Sequence, residues 1–293
     1  MRRFVVIAWT LALMIPAAGF AKTWHVGEGG SADSEQLKQT VENLAKDGDT
    51  VLVHPGVYER ALVYVTKKNL VIKSVEGPEK TILDGGQSGI LVVWLRLCNE
   101  STVFEGFTVR NGYDTQFGGG IRIGSGADPV IRNNILEECR SPWGGGIYLA
   151  PKSKATIEGN LFKNCIATAS GGGIYAQNNS PTIRNNTFIG NNAEKLGSAV
   201  GLFGSAALLE GNLFAYQLGL SVVGVLNDQQ LPTLQCNGFW QNKGADVGAA
   251  EGIEAPADGS KKTVDPAFED GPEYRLSEGS PLRNAGECGK IGR

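Results

Sequence analysis

The chain has 293 residues, with 27 basic and 30 acidic side chains and a formal net charge of −3. A mildly acidic chain of this kind is not built to hold nucleic acid by bulk charge attraction, so no nucleic-acid partner is expected. The 41 glycines are about twice the usual share and exclude a protein built from helix pairs. The five cysteines form no CxxC pairs, so the sequence predicts no metal site.

Residues 1–21 have the pattern of a secretory signal peptide. Arg2 and Arg3 precede an apolar run from Phe4 to Ile15, and small residues lead up to a predicted cleavage site before Lys22. The apolar run is short for an uncleaved membrane anchor. We therefore expect a protein that is secreted, or located in the periplasm or cell envelope, with no transmembrane segment after cleavage.

Residues 22–49 are predicted to form an N-terminal strand and a capping helix. The helix pattern lies within residues 34–46, where Leu37, Val41 and Leu44 recur at helical spacing. Asp33 or Ser34 would cap its start, and Gly48 would end it. An open β-coil needs such a cover because exposed strand edges promote aggregation.

Residues 50–242 carry a repeat with a step of 26 residues. Its clearest copies are VIRNNILEEC from Val130, TIEGNLFKNC from Thr156, TIRNNTFIGN from Thr182 and LLEGNLFAYQ from Leu208. A fixed period in this range is the signature of a solenoid, in which each unit buries its apolar side against the next. Alternating apolar residues predict three short strands per coil of about 26 residues, hence an all-β parallel β-helix.

Two polar columns recur with the same step, and both are interpreted as structural. Asparagines are predicted to stack at one turn and to hydrogen-bond from coil to coil, at Asn134, Asn160, Asn186, Asn212 and Asn237. Charges of alternating sign are predicted to form a ladder on the outer surface, at Glu105, Arg132, Glu158, Arg184 and Glu210. After residue 242 the repeat disappears, and residues 243–293 are predicted to form a loop and a closing segment.

Three stretches resemble secreted right-handed parallel β-helix proteins of the pectin-lyase-like superfamily. They are the entry GDTVLVHPGVYER (Gly48–Arg60), the GGGI rungs, and the ending DPAF…YRL…GSPLRNAG (Asp265–Gly286). The resemblance covers nearly the whole chain after residue 21. It implies a right-handed coil, in agreement with the preference of parallel crossovers. It also implies a polysaccharide bound along the outer face of one sheet, bordered by the preceding turn.

The resemblance assigns this role to the sheet that begins at GGGI. Outward side chains there, together with the preceding turns, are expected to stack on sugar rings and to hold a uronate carboxylate. The expected substrate-binding residues are Tyr113, Arg122, Trp143, Tyr148 and Tyr175.

Catalytic residues are not defined by the sequence. Asp114, Arg122 and Arg140 are the candidates, but neither the facing carboxylates of a hydrolase nor the aspartate cluster of a lyase is visible. Glu137 and Glu138 are assigned to the adjoining sheet. No cofactor is identified, and calcium would be expected only for a lyase.

Two functions stay open at this point. The first is a monomer that binds an extended polysaccharide, with lyase or hydrolase activity undecided. The alternative is a non-catalytic surface, adhesion or structural module that contacts protein partners.

Cys139 and Cys165 occupy the same column in successive coils. Their Cα atoms should be about 4.8 Å apart, a distance that a disulfide accepts. Two outcomes stay open for an exported protein: a disulfide between them, or two stacked free thiols.

Overall fold

The computed structural model describes residues 21–30, 32–87, 89, 91–271 and 274–293. Apart from its last residue, the predicted signal peptide lies outside these ranges. The described chain winds into a parallel β-helix, which confirms the predicted fold class. Each complete coil visits three sheets in turn, here called A, B and C.

Sheets A and B meet at the turn that carries the asparagines. In the described residues, sheet A has nine strands: Thr23–Val26, Thr50–Val53, Val71–Ser74, Val103–Glu105, Val130–Arg132, Thr156–Glu158, Thr182–Arg184, Leu208–Glu210 and Thr233–Gln235. Sheet B, counted in the same way, has eight: Gly56–Glu59, Thr81–Asp84, Thr108–Arg110, Ile135–Glu137, Leu161–Lys163, Thr187–Ile189, Leu213–Ala215 and Gly238–Trp240.

Sheet C follows the glycine-rich segments, and a short sheet D precedes it. The described strands of sheet C are Val63–Thr66, Val93–Arg96, Ile121–Ile123, Ile147–Leu149, Ile174–Gln177, Val200–Phe203, Ser221–Asn227 and Ala245–Ala249. Sheet D consists of Arg140–Trp143, Ile166–Ser170 and Asn192–Ala193. The prediction of three strands per coil did not include sheet D, whose strands lie in the turn between sheets B and C.

Apolar columns in exact register fill the inside of the coil. In sheet A, Ile131, Ile157 and Ile183 are paired partners and are fully buried. In sheet B, the rings of Phe162, Phe188, Phe214 and Phe239 stack with centroid separations of 4.6, 4.9 and 5.1 Å. Removal of these side chains from water and their contact along the axis hold successive coils together.

The asparagine ladder forms as predicted. The Asn160 side-chain amide donates to Oδ1 of Asn186 at 3.0 Å, and Asn186 donates to Oδ1 of Asn212 at the same distance. Each oxygen also accepts the backbone N–H of the preceding asparagine. The last asparagine, Asn237, donates to the carboxylate of Asp258 at 2.8 Å. Buried polar groups at this turn are thereby satisfied coil after coil.

The outward charge ladder of sheet A is also present. Glu105 lies between Lys73 and Arg132, with nitrogen to oxygen distances of 3.4 and 2.8 Å. Burial by itself would raise the pKa of the Glu105 carboxyl, but Arg132 and Lys73 together lower it below its usual value. Further along, Arg184 pairs with Glu158 at 2.6 Å.

The first coils are covered by the helix α1 (Ser34–Gln39) and a π-helical turn, Thr40–Leu44. Asp33 caps α1 by accepting the backbone N–H groups of Glu35 and Gln36. Leu37 and Val41 are buried, as expected, but Leu44 is 41% exposed. The wider π-helical turn rotates Leu44 away from the face that a regular α-helix would have given it.

Residues 265–271 and 274–293 run across the outside of sheet B. Leu276, Leu282 and Ile291 form a buried cluster with Leu213 there. Two 3₁₀-helices lie in this segment, Pro281–Asn284 and Gly286–Cys288. The closing segment therefore covers one side of the coil as well as following its last turn.

Cys139 and Cys165 do not form the disulfide that their spacing left open. Both residues are free and buried, and the disulfide joins Cys236 to Cys288. Neighbouring side chains in a parallel register keep their Cβ atoms about 4.8 Å apart, whereas a disulfide needs about 3.5–4.5 Å. Contact with the Cys165 thiol, together with complete burial, raises the pKa of Cys139 well above its usual value.

Candidate functional site

One outward row on sheet C combines aromatic rings with guanidinium groups. The register pairs Tyr64 with Trp94, Trp94 with Arg122, Arg122 with Tyr148, and Tyr148 with Tyr175. The row then continues as glycine at residues 201, 224 and 248. Because neighbouring strands are about 4.8 Å apart, these side chains contact one another across rungs.

The first part of this row is partly exposed, and Arg96, two residues after Trp94 on the same strand, adds a second arginine beside Arg122. The guanidinium carbons of Arg96 and Arg122 each lie 5.4 Å from the ring centre of Trp94. The ring centres of Tyr64 and Trp94 are 5.0 Å apart, and Arg122 lies 5.2 Å from the ring centre of Phe117. We call these five side chains the cationic strip. Cation–π contacts of this kind hold the guanidinium groups against an aromatic floor.

The arginines of the strip differ from those on sheets A and B. Arg110, Arg132 and Arg184 each pair with a carboxylate, at 2.6, 2.8 and 2.6 Å. Within the ranges that the structure describes, neither Arg96 nor Arg122 forms an ion pair with a carboxylate. The strip therefore presents positive charge that the protein itself does not neutralise.

The second part of the row is covered, which corrects one prediction. Tyr148 and Tyr175, expected to face solvent as a sugar platform, are only 5% and 4% exposed. The Phe117 ring lies 4.6 Å from that of Tyr148, and the Trp143 ring lies 4.8 Å from that of Tyr175. The turn before sheet C is long enough to fold back over the tyrosines. Burial raises the pKa of both phenols.

The glycines before sheet C let this turn approach the strands closely. Gly144 has a φ of 69°, in the left-handed region that favours glycine. A Cβ atom on Gly144 would also collide with the carbonyl group of Ile147. The GGGI segments are therefore needed to bring Trp143 back over sheet C.

Asp114, a catalytic candidate from the sequence, has the contacts of a turn residue. Its Oδ1 accepts the backbone N–H groups of Gln116 and Phe117 at 2.7 and 2.8 Å. These two hydrogen bonds fix the turn that presents Phe117 to Arg122 and Tyr148.

Tyr113 and Arg140 lie on a different surface. They are bridge partners at the corner between sheets B and D, where they line a groove of about 570 Å³. Glu138 lines the same groove. Glu137 ends a strand of sheet B, as expected, but Glu138 follows that strand in a turn with a φ of 55°. The predicted site residues are thus divided among the strip, its aromatic cover and this groove.

Tyr64 and Trp94 were missed by sequence reasoning. Their strands, VYVT and VWLR, show the same alternation as the IRI strand of Arg122. However, no GGG segment precedes them, and the step from one strand to the next is longer than 26 residues. The alternation around a half-buried tryptophan was the signal that could have identified them.

The residues that the structure describes contain no cluster of three His, Cys, Asp or Glu side chains able to hold a metal ion. None of the helices in the described part of the chain has the length and apolar character required to cross a bilayer.

Residues 80–224 match the family model described as right handed beta helix region. The coils observed over these residues have the parallel β-helix architecture that this family model describes. Among curated proteins, no sequence matches the chain.

Two solved structures are similar to the chain. One is a mannuronic acid specific polysaccharide family 6 lyase from human gut microbiota, with 16% identity and a TM-score of 0.48. The similarity covers 76% of this chain and 55% of that lyase, so this chain spans about half its length. The other is an alginate lyase from Paenibacillus sp. str. FPU-7, with 13% identity, a TM-score of 0.34 and coverage of 78% and 98%.

Proposed function

We propose that this protein binds an anionic polysaccharide, a polyuronate, along the cationic strip of sheet C. One observation carries the proposal. The guanidinium groups of Arg96 and Arg122 lie over the Trp94 ring without a carboxylate partner in the described part of the chain.

The chemistry of the strip suits such a ligand. Aromatic faces such as those of Tyr64 and Trp94 pack well against the apolar C–H face of a sugar. The planar fork of Arg122 can hold a uronate carboxylate through two parallel hydrogen bonds. From Tyr64 to Arg122 the strip covers three rungs, about 10 Å. A polymer lying parallel to the coil axis would therefore place successive sugar units over successive rungs.

The charge of the whole chain makes the strip distinctive. The formal net charge is −3, so an anionic polymer is not attracted to the protein as a whole. Binding of the polymer should depend on the local positive charge of the strip and should weaken as salt screens the guanidinium groups.

The Cys236–Cys288 disulfide supports an oxidising compartment as the site of action. This agrees with the predicted export of the chain. Extracellular or periplasmic polymers would be accessible to the strip there.

The test is calorimetric titration with oligogalacturonate and oligomannuronate, with a malto-oligosaccharide of equal length as the neutral comparison. We expect the acidic oligomers to bind and Arg122→Ala to weaken them at least tenfold, because a hydrogen bond to a charged group contributes about 1.5–3 kcal/mol. Trp94→Ala should weaken them too. Arg184→Ala is the matched control, since Arg184 is paired with Glu158 on sheet A.

Two results would refute the proposal. One is equal binding of the neutral oligomer, and the other is unchanged binding of the acidic oligomers by Arg122→Ala. The same mixtures, with and without calcium, should be assayed for unsaturated products, which would reveal lyase activity in addition to binding.

A further inference from the structure

The groove at the corner between sheets B and D is a second concave surface, distinct from the cationic strip. Phe117 of the strip and its bridge partner Trp143 cover the tyrosines of sheet C, and neither of them lines the groove. The groove has a volume of about 570 Å³, within the range of about 300–1,000 Å³ that is usual for small-molecule sites. We call it the corner groove.

The concave shape follows from the local backbone. Glu138 and Asn164 occupy equivalent positions in successive coils, with φ values of 55° and 53°. These left-handed residues turn the chain sharply at the end of sheet B. Beyond the turn, Tyr113, Arg140 and Ile166 stack in register as the start of the next face. The corner is therefore built from hydrogen-bonded rungs.

The corner groove combines polar groups of both kinds with an apolar floor. Arg140 offers a guanidinium group, Glu138 offers a carboxylate, and both side chains are exposed. Neither forms an ion pair with any other described residue. Asn164 and Thr168 add hydrogen-bonding groups. The apolar part is supplied by Tyr113, Pro142 and Ile166.

This combination identifies the class of ligand. A phosphate would satisfy Arg140 but would be repelled by Glu138, and a metal ion would find a single carboxylate. A ring that carries several hydroxyl groups donates to the carboxylate and accepts from the guanidinium, while its C–H face packs on apolar side chains. We propose that the corner groove binds one sugar ring, with its hydroxyl groups held between Arg140 and Glu138. This second site does not depend on the function of the strip.

The experiment uses saturation-transfer difference NMR with D-glucose, D-galactose, N-acetyl-D-glucosamine and D-galacturonate at millimolar concentration. At least one of these sugars should bind the full chain. Arg140→Ala and Glu138→Gln should each reduce affinity at least tenfold, since charge-assisted hydrogen bonds are lost. Both residues are exposed, so circular dichroism should show an unchanged fold. Arg184→Ala should bind like the natural chain.

The Arg122→Ala variant separates the two sites. Loss of sugar binding in Arg122→Ala with full binding in Arg140→Ala would mean that the sugar lies on the strip, and would overturn the proposal. Absence of binding for all four sugars would overturn it as well. A third outcome would separate the two proposals. If the acidic oligomers do not bind, but a single sugar binds and this binding is lost in Arg140→Ala, the function proposed for the strip is refuted and the corner groove is supported.

Discussion

Substitution of Asn186 by alanine tests how strongly the asparagine ladder holds the coils together. Asn186 is fully buried and lies in the middle of the ladder. Its Oδ1 accepts from the backbone N–H and the side-chain amide of Asn160 at 2.9 and 3.0 Å. Its own amide donates to the Ile157 carbonyl at 2.9 Å and to Oδ1 of Asn212 at 3.0 Å.

The expected cost follows from the groups that lose their partners. Two of the four retain another contact, because the Asn160 amide still donates to Ile131 and Oδ1 of Asn212 still accepts the backbone N–H of residue 186. The carbonyl of Ile157 loses its side-chain donor but keeps its place in the parallel ladder of sheet A, so the backbone N–H of Asn160 is the one group left without a partner. A buried polar group left without a partner costs about 1–3 kcal/mol, so we expect a loss of about 2–3 kcal/mol in the free energy of unfolding.

The assay is urea unfolding followed by circular dichroism and tryptophan fluorescence, with linear extrapolation to water. Asn185→Gly is the matched control. Asn185 is exposed, and glycine tolerates its φ of 52°. The control should change stability by no more than about 0.5 kcal/mol. A loss below about 1 kcal/mol for Asn186→Ala, or a similar loss in both variants, would refute the reasoning.

Three further predictions concern stability. Phe188→Ala should lower the free energy of unfolding by about 4–6 kcal/mol, because it removes a fully buried ring and two stacking contacts. Phe239→Ala removes one stacking contact and should cost less. Urea unfolding of both variants measures the difference, and equal losses would contradict the stacking argument. Hydrogen bonds from backbone N–H groups lower the pKa of Asp49 in the folded protein. The carboxylate therefore contributes its full stabilisation of the fold above about pH 4, the ordinary pKa of an unfolded aspartate, and this stabilisation is lost as the pH falls through the lower pKa of the folded state. The stability difference from Asp49→Asn should therefore shrink below about pH 4 in acid titrations, and a constant difference would contradict this. Replacement of Cys236 and Cys288 by serine should lower the free energy of unfolding by up to about 4 kcal/mol, since the bond closes a loop with a sequence separation of 52. It should also speed amide exchange in residues 265–293. Unchanged exchange would contradict the idea that the disulfide holds this segment against the coil.

The features that could be predicted from the sequence are those that repeat with the coil. A column such as Ile131, Ile157 and Ile183 recurs every 26 residues, and a one-residue slip would turn it outward. The same step identifies Asn160 and Asn186 as ladder residues. Local spacing was sufficient to predict these columns because each coil contacts mainly the coils next to it.

The candidate site was predicted less well because it depends on segments that depart from the repeat. Alternation shows that Tyr148 points away from the core, but not that the turn carrying Phe117 folds over it. The spacing of Cys139 and Cys165 gives the separation of their Cα atoms but not the direction of their side chains. Cys288 lies in a segment without a repeat, so no periodicity indicates that it reaches Cys236.

The asparagine ladder also has a direction. Each amide donates to the residue one coil later, and the series ends on Asp258, whose carboxylate accepts from Asn237. An ionised carboxylate has no proton to pass on to a further coil. If a second molecule stacked on the Asp258 end with its asparagine ladder aligned, the first side-chain oxygen of that ladder would therefore face no hydrogen-bond donor. The hydrogen-bonded ladder thus ends at Asp258, which favours separate molecules over end-to-end fibres.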